Sequence, residues 1–127
     1  MANGWAAKQV LAGASPIVIP ASQTNVVVGK EYPITAGGSL NHVVKLIASG
    51  VTLTNAITAK LQSAIGDDWV DSKTVSITAN GNYYIKLQSN ASGDQTHLPL
   101  LNKGRLVITT GVGDLVTISS VEVLQEL

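Results

Sequence analysis

Ala56-Ile-Thr-Ala-Lys-Leu-Gln-Ser-Ala-Ile65, closed by Gly66-Asp67-Asp68, is the stretch whose reading decides the fold. Taken with a period of two, it puts Ile57, Ala59, Leu61, Ser63 and Ile65 on one face. Thr58, Lys60, Gln62 and Ala64 fall on the other. Taken as a helix, it spaces Ile57, Leu61 and Ile65 by four, with Asn55 at the cap position. Periodicity alone does not separate the two readings at this length. The flanking segments favour a strand, and Gly66-Asp67-Asp68 then reads as its turn.

Working outward, the segments before it are short, apolar and β-branched. They are Val43–Ser49, Tyr32–Thr35, Thr24–Val28 and Pro16–Pro20. A proline at each end of the last marks an edge strand. After it, Lys73–Ala79 places Val75, Ile77 and Ala79 on one face, and Tyr83–Gln88 places Tyr83, Ile85 and Leu87 on one face. Asn80-Gly81 between them looks like a two-residue hairpin turn. That turn would set Val75 against Lys86, whereas a three-residue loop, Asn80–Asn82, sets Ile77 against Ile85 and Val75 against Leu87. If the two strands pair directly, the longer loop is expected. Asn90–Thr96 is a polar loop, and His97–Leu101, with Pro99 inside, is an edge strand or an extended connector.

Arg105–Thr110 and Leu115–Leu124 are expected as a final pair joined by Gly111-Val112-Gly113-Asp114. In the last strand Val116 and Ile118 have one parity and Val121 and Val123 the other. A β-bulge at Ser119–Ser120 would turn all four inward. The tally is eight to nine short strands and no helix. It predicts an all-β fold, either a closed barrel or an antiparallel β-sandwich, with a jelly-roll-like sandwich of about eight strands preferred.

The 127 residues fit one domain and need no metal or disulfide to fold; cysteine is absent, which excludes thiol redox chemistry and Cys-type zinc sites. Residues 16–127 are expected to form the sandwich and residues 1–15, small and mixed, an N-terminal arm. Trp5 is its natural anchor. The N-terminus lacks the shape of a signal peptide, so direct secretion is not expected. No apolar run approaches the roughly 18 residues that span a bilayer. Eight basic residues balance eight acidic ones, which gives no electrostatic footprint for nucleic acid or an anionic membrane. Phe is absent, so the core falls to Val, Ile, Leu and Ala.

Motifs for chemistry are scarce. His42 and His97 are far apart and belong to no metal-ligand spacing. Asp67, Asp68 and Asp71 are the densest carboxylates, but they do not follow a calcium-loop pattern and read as turn residues. Gly111-Val112-Gly113 lacks the Lys and the helix of a phosphate loop. No nucleophile elbow occurs. Arg105, the only arginine, reads as an ion-pair or partner contact, and Trp69 as a side chain packed at the edge of the core. No catalytic residue, cofactor or metal is therefore assigned, and the chain is read as non-enzymatic.

Ala59-Lys-Leu-Gln-Ser-Ala-Ile-Gly-Asp-Asp-Trp-Val-Asp71, Val75-Ser-Ile-Thr78, Tyr84-Ile-Lys-Leu87, Gly104-Arg-Leu-Val-Ile-Thr-Thr-Gly111 and Thr117-Ile-Ser-Ser-Val-Glu-Val-Leu124 follow in an order that resembles small β-sandwich virion proteins of tailed bacteriophages, the capsid decoration (cement) proteins among them. The resemblance covers about residues 56–125 and carries no catalytic residues. It implies a structural protein of the phage particle, made in the host cytoplasm, that stabilises contacts between capsomers. The implied partners are the major capsid protein or other virion subunits and further copies of the chain, with a trimer favoured. The arm fits that expectation, since an extended segment can add a strand to a neighbour. Trp5, Val10, Leu11, Ile17 and Ile19 are the expected partner-binding residues. A tail, neck or fibre-base subunit is an alternative. So is a carbohydrate-binding or adhesion sandwich that presents Trp69, Tyr83 or Tyr84 as a platform.

Overall fold

The computed structural model describes residues 9–13, 15–33, 41–88 and 103–125. Ten strands follow in chain order: β1 Gln9–Ala12, β2 Ile17–Ile19, β3 Val26–Val27, β4 Tyr32–Pro33, β5 Asn41–Thr52, β6 Ile57–Ile65, β7 Asp68–Ser76, β8 Gly81–Gln88, β9 Lys103–Thr110 and β10 Leu115–Gln125. No helix occurs among the described residues. Ala56–Ile65 is accordingly strand, closed by a two-residue turn over which Ile65 pairs with Asp68. Gly66 at φ +61° supplies the left-handed position this hairpin turn requires.

The strands form two antiparallel sheets that pack face to face. In the first, β5 and β10 lie side by side, β8 flanks β5, and β1 and β2 pair in succession along the free edge of β10. In the second, β6 and β9 are central, β7 flanks β6, and β3 and β4 share the edge of β9. Each interrupted edge acts as one strand. The pairs β1/β2 with β10, β3/β4 with β9, β5 with β8 and β6 with β7 are nested. The chain is thus one long antiparallel hairpin rolled over on itself, which is the jelly-roll plan.

That plan corrects two expected hairpins. β7 and β8 lie in different sheets, and so do β9 and β10, so neither pair is joined by a hairpin turn. The Asn80–Asn82 loop register therefore has no strand pair to act on. At the β7–β8 crossing, side chains take up backbone groups that a hairpin would have paired. The Tyr83 hydroxyl accepts from the Thr78 and Ala79 N–H groups and donates to the Ala79 carbonyl. The Asn80 side chain accepts from Val51 N–H.

Alternation fills the space between the sheets. Val44, Leu46 and Ala48 from β5 meet Ile57, Ala59 and Leu61 from β6, with Leu106, Ile108, Ile77 and Ile85 completing the layer. Burying each such side chain contributes roughly 1.5–3 kcal/mol. The expected bulge is present. Ile118 pairs with Ala48 and Ser120 with Ile47, which leaves Ser119 as the extra residue. Val116, Ile118, Val121 and Val123 all end up buried. β5 runs beyond the expected Val43–Ser49, helped by Gly50 at φ +55° beside a second register shift. Tyr32 is among the largest buried side chains of this Phe-free chain. Its ring lies against Gly104, where a Cβ would come within 2.7 Å of its Cζ and Oη. Burial pushes its phenol far above the ordinary tyrosine value.

Candidate functional site

With the inner faces committed to the core, function falls to the outer faces and the loop ends. The outer face of the first sheet sets apolar side chains among polar and charged ones. Cross-strand pairing lays Val10, Glu122, Lys45 and Tyr84 in one row, Leu124, Val43 and Lys86 in the next, and Ser120, Ile47 and Asn82 in a third. Val18 extends the surface beside Thr117. Val18 is 60% exposed, Val10 49% and Tyr84 48%. Single exposed apolar residues are ordinary on any protein; several on neighbouring strands of one face form a patch.

The outer face of the second sheet is built differently. β9 presents Lys103 and Arg105, β6 presents Lys60, Gln62 and Ala64, and β7 presents Trp69 and Asp71. The Arg105 side chain crosses β6 and lays its guanidinium 4.1 Å from the centre of the Trp69 ring. Its Nε donates to Gln62 Oε1 at 2.9 Å, and Gln62 Nε2 donates to Asp71 Oδ1 at 2.9 Å. Lys60 closes the chain of contacts on Asp71 at 3.4 Å. Gln62 and Ala64 point away from the core, yet they are only 3% and 2% exposed. The stack lying over them accounts for that, and small Ala64, paired with Trp69, leaves room for it. The Gln62 hydrogen bond, followed by the Lys60 charge, holds the Asp71 carboxyl below the usual carboxylate range. Lys103 sits 5.8 Å from the same ring centre and pairs with Glu31 at 3.1 Å.

At one end of the sandwich, Asp114 ties two loops together. Its carboxylate accepts from the N–H groups of Thr54 at 2.6 Å, Asn55 at 2.8 Å, Ala56 at 3.0 Å and Gly111 at 2.7 Å. These bonds, that from Asn55 foremost, hold its carboxyl below the ordinary range. Gly111-Val112-Gly113 is therefore part of a carboxylate-locked arch and not an anion cradle. Exposed Leu53, Val112 and Leu115 ride on this rigid end.

The structure distributes the expected partner-binding residues unevenly. Leu11 and Ile19 are buried in the chain's own core, and Ile17 packs against it. Val10 faces outward. Residues 9–12, within the expected arm, are strand β1 on the chain's own sheet. Trp5 and His97 lie outside the described residues, as does the side chain of His42. Trp69, expected at the edge of the core, stands on the outer face instead, because its β7 parity matches Gln62's partner Asp71. Among the described residues no group of three or more His, Asp or Glu converges as a metal site would require. No helix among them is long and apolar enough to cross a membrane. Sequence reading missed Asp114 and Gln62, whose partners are remote in the chain. No protein-family model and no curated protein matches the sequence.

Proposed function

We propose that this chain is a structural protein of a tailed-phage particle, with a capsid decoration role that stabilises contacts between capsomers. The observation that carries this reading is the outer face of the first sheet, where Val10, Val18, Val43, Ile47, Tyr84 and Leu124 stand together on paired strands. A regular sheet face that carries exposed apolar side chains among charged ones is suited to lie flat on another protein. The jelly-roll plan and the resemblance of residues 56–125 to phage virion proteins point the same way. The energetics are those of mass action: copies that bind only the assembled lattice stabilise it in proportion to their occupancy.

The carbohydrate-binding reading draws less support. Arg105 occupies a face of Trp69, and the Tyr83 hydroxyl is spent on the turn before it. Of the three rings proposed as a platform, Tyr84 is the one left exposed, with Lys86 6.0 Å from its centre.

The test uses capsids of the encoding virus assembled without this chain. Purified chain is added and the capsids are sedimented. The reading expects saturable binding at a fixed number of copies per capsid, weakened by Val18→Asp or Ile47→Asp. A chain that stays in the supernatant at all concentrations refutes it.

A further inference from the structure

The Trp69–Arg105 stack is more ordered than a surface arginine needs. Its Nε is held by Gln62, which Asp71 holds in turn, while Lys60 pairs with Asp71. One face of the guanidinium is covered by the indole ring. The two terminal nitrogens have no hydrogen-bond partner among the described residues. Lys103 brings a second cation to the same ring. Such a guanidinium is pre-organised for a carboxylate, because little side-chain freedom is left to lose on binding.

The acid that fits it is carried by the same chain. Ala64 pairs with Trp69, and Ser63 beside it pairs with Gly104, the neighbour of Lys103; the next positions outward belong to the β6–β7 turn. There Asp67 and Asp68 are exposed. The Lys60–Asp71 and Lys103–Glu31 ion pairs use neither of them. That end of the sheet therefore sets an exposed acidic turn near Arg105 and Lys103, the latter also paired with Glu31 at 3.1 Å, on a chain whose charges balance overall, eight against eight.

We propose that this face is a self-association surface: the Asp67–Asp68 turn of one copy docks on Arg105 and Lys103 of a second copy. Opposite charges on the two halves fix the register and speed the encounter. The arrangement closes as a two-fold pair or continues around a ring, since each copy offers both halves. The inference concerns the chain alone and stands or falls without any particle.

The test is a charge swap read by sedimentation velocity over a concentration series. Wild-type chain is expected to self-associate, less so as salt rises from about 0.05 to about 0.5 M. Asp67→Lys/Asp68→Lys is expected to weaken association about tenfold or more, and Lys103→Glu/Arg105→Glu likewise. An equimolar mixture of the two variants is expected to recover it. Circular dichroism checks that each variant is folded. Should Arg105→Glu unfold the chain, Lys103→Glu alone takes its place in the mixture and leaves the stack intact. A wild type that stays monomeric at about 0.5 mM overturns the proposal. So does association that the swaps leave unchanged, or a loss that mixing does not restore.

Discussion

Gly104→Ala is the sharpest probe of how this core was assembled without phenylalanine. Gly104 pairs with Tyr32 across β9 and β4, and the ring occupies the space where a side chain would start. An added Cβ would sit 2.7 Å from Cζ and from Oη, and 3.1 Å from Cε2. Contacts that short require movement, and Tyr32 is 1% exposed, so the ring has no solvent to swing into. The strand must shift instead. Overpacking of this kind costs about 2–3 kcal/mol. With about 2.1 cal/mol/K of unfolding entropy per residue over 127 residues, roughly 270 cal/mol/K, a cost of about 2.5 kcal/mol lowers Tm by about 9 °C. The assay is a double-mutant cycle by thermal and urea melts with Tyr32→Ala. Removing the ring is itself costly, about 3–5 kcal/mol. In that background Gly104→Ala should be close to neutral. Gly104 stands between Lys103 and Arg105, so the single variant should also change Trp69 fluorescence as the stack above it shifts. Equal costs of Gly104→Ala in both backgrounds, or none in the wild type, would refute the steric argument.

Further expectations follow from the same contacts. The Asp114 carboxyl is held low, so its contribution to stability is whole above the ordinary carboxylate value of about 3.9 and is lost as pH falls through the depressed folded value. Asp114→Asn should be less stable than wild type at neutral pH, and the gap in Tm should narrow below about pH 4; parallel profiles would count against the lock. Tyr83→Phe removes three hydrogen bonds at the β7–β8 crossing, and because these groups can be rehydrated the expected cost is about 1–2 kcal/mol in urea melts. Gly29→Ala forces a side chain into φ +79° and to within 2.5 Å of the Leu11 carbonyl. It should raise hydrogen exchange in β1 well before it affects β5 or β10.

Much of the fold was legible because alternation is a local signal. Ile57, Ala59 and Leu61 named the core face of β6, and the parity change between Ile118 and Val121 named the bulge at Ser119. Strand pairing was less legible. Neighbouring strands often pair, so Lys73–Ala79 with Tyr83–Gln88 and Arg105–Thr110 with Leu115–Leu124 read as hairpins. Yet at the two crossings the backbone is held by a phenol hydroxyl at Tyr83 and a carboxylate at Asp114. Asp114 binds the Thr54–Ala56 backbone, some sixty positions earlier, and no pattern of apolar residues encodes that. The outer-face stack was hidden for the same reason. Arg105, Gln62 and Asp71 meet only because β9, β6 and β7 stand in that order.

The edges of the two sheets bear on how such a chain meets its partners. Among the described residues β8 ends the first sheet and β7 the second, and an edge strand is a template for another strand. Here the edges are guarded. β7 is bulged near Ser72, and Lys73 reaches across the gap to donate to the Lys86 carbonyl on β8 at 2.9 Å. On the far side, the edges of β10 and β9 are covered by strands that are short and interrupted. Edges guarded in this way favour association through the outer faces, which agrees with both proposals above. Lys73→Ala tests this reasoning directly. It removes an exposed contact, so stability should change by no more than about 0.5–1 kcal/mol. The β8 carbonyl row, however, loses its cationic guard. On mild heating below Tm, light scattering should rise faster for Lys73→Ala than for wild type, and more steeply with concentration. Equal aggregation rates at matched stability would show that the edge is protected by something other than Lys73.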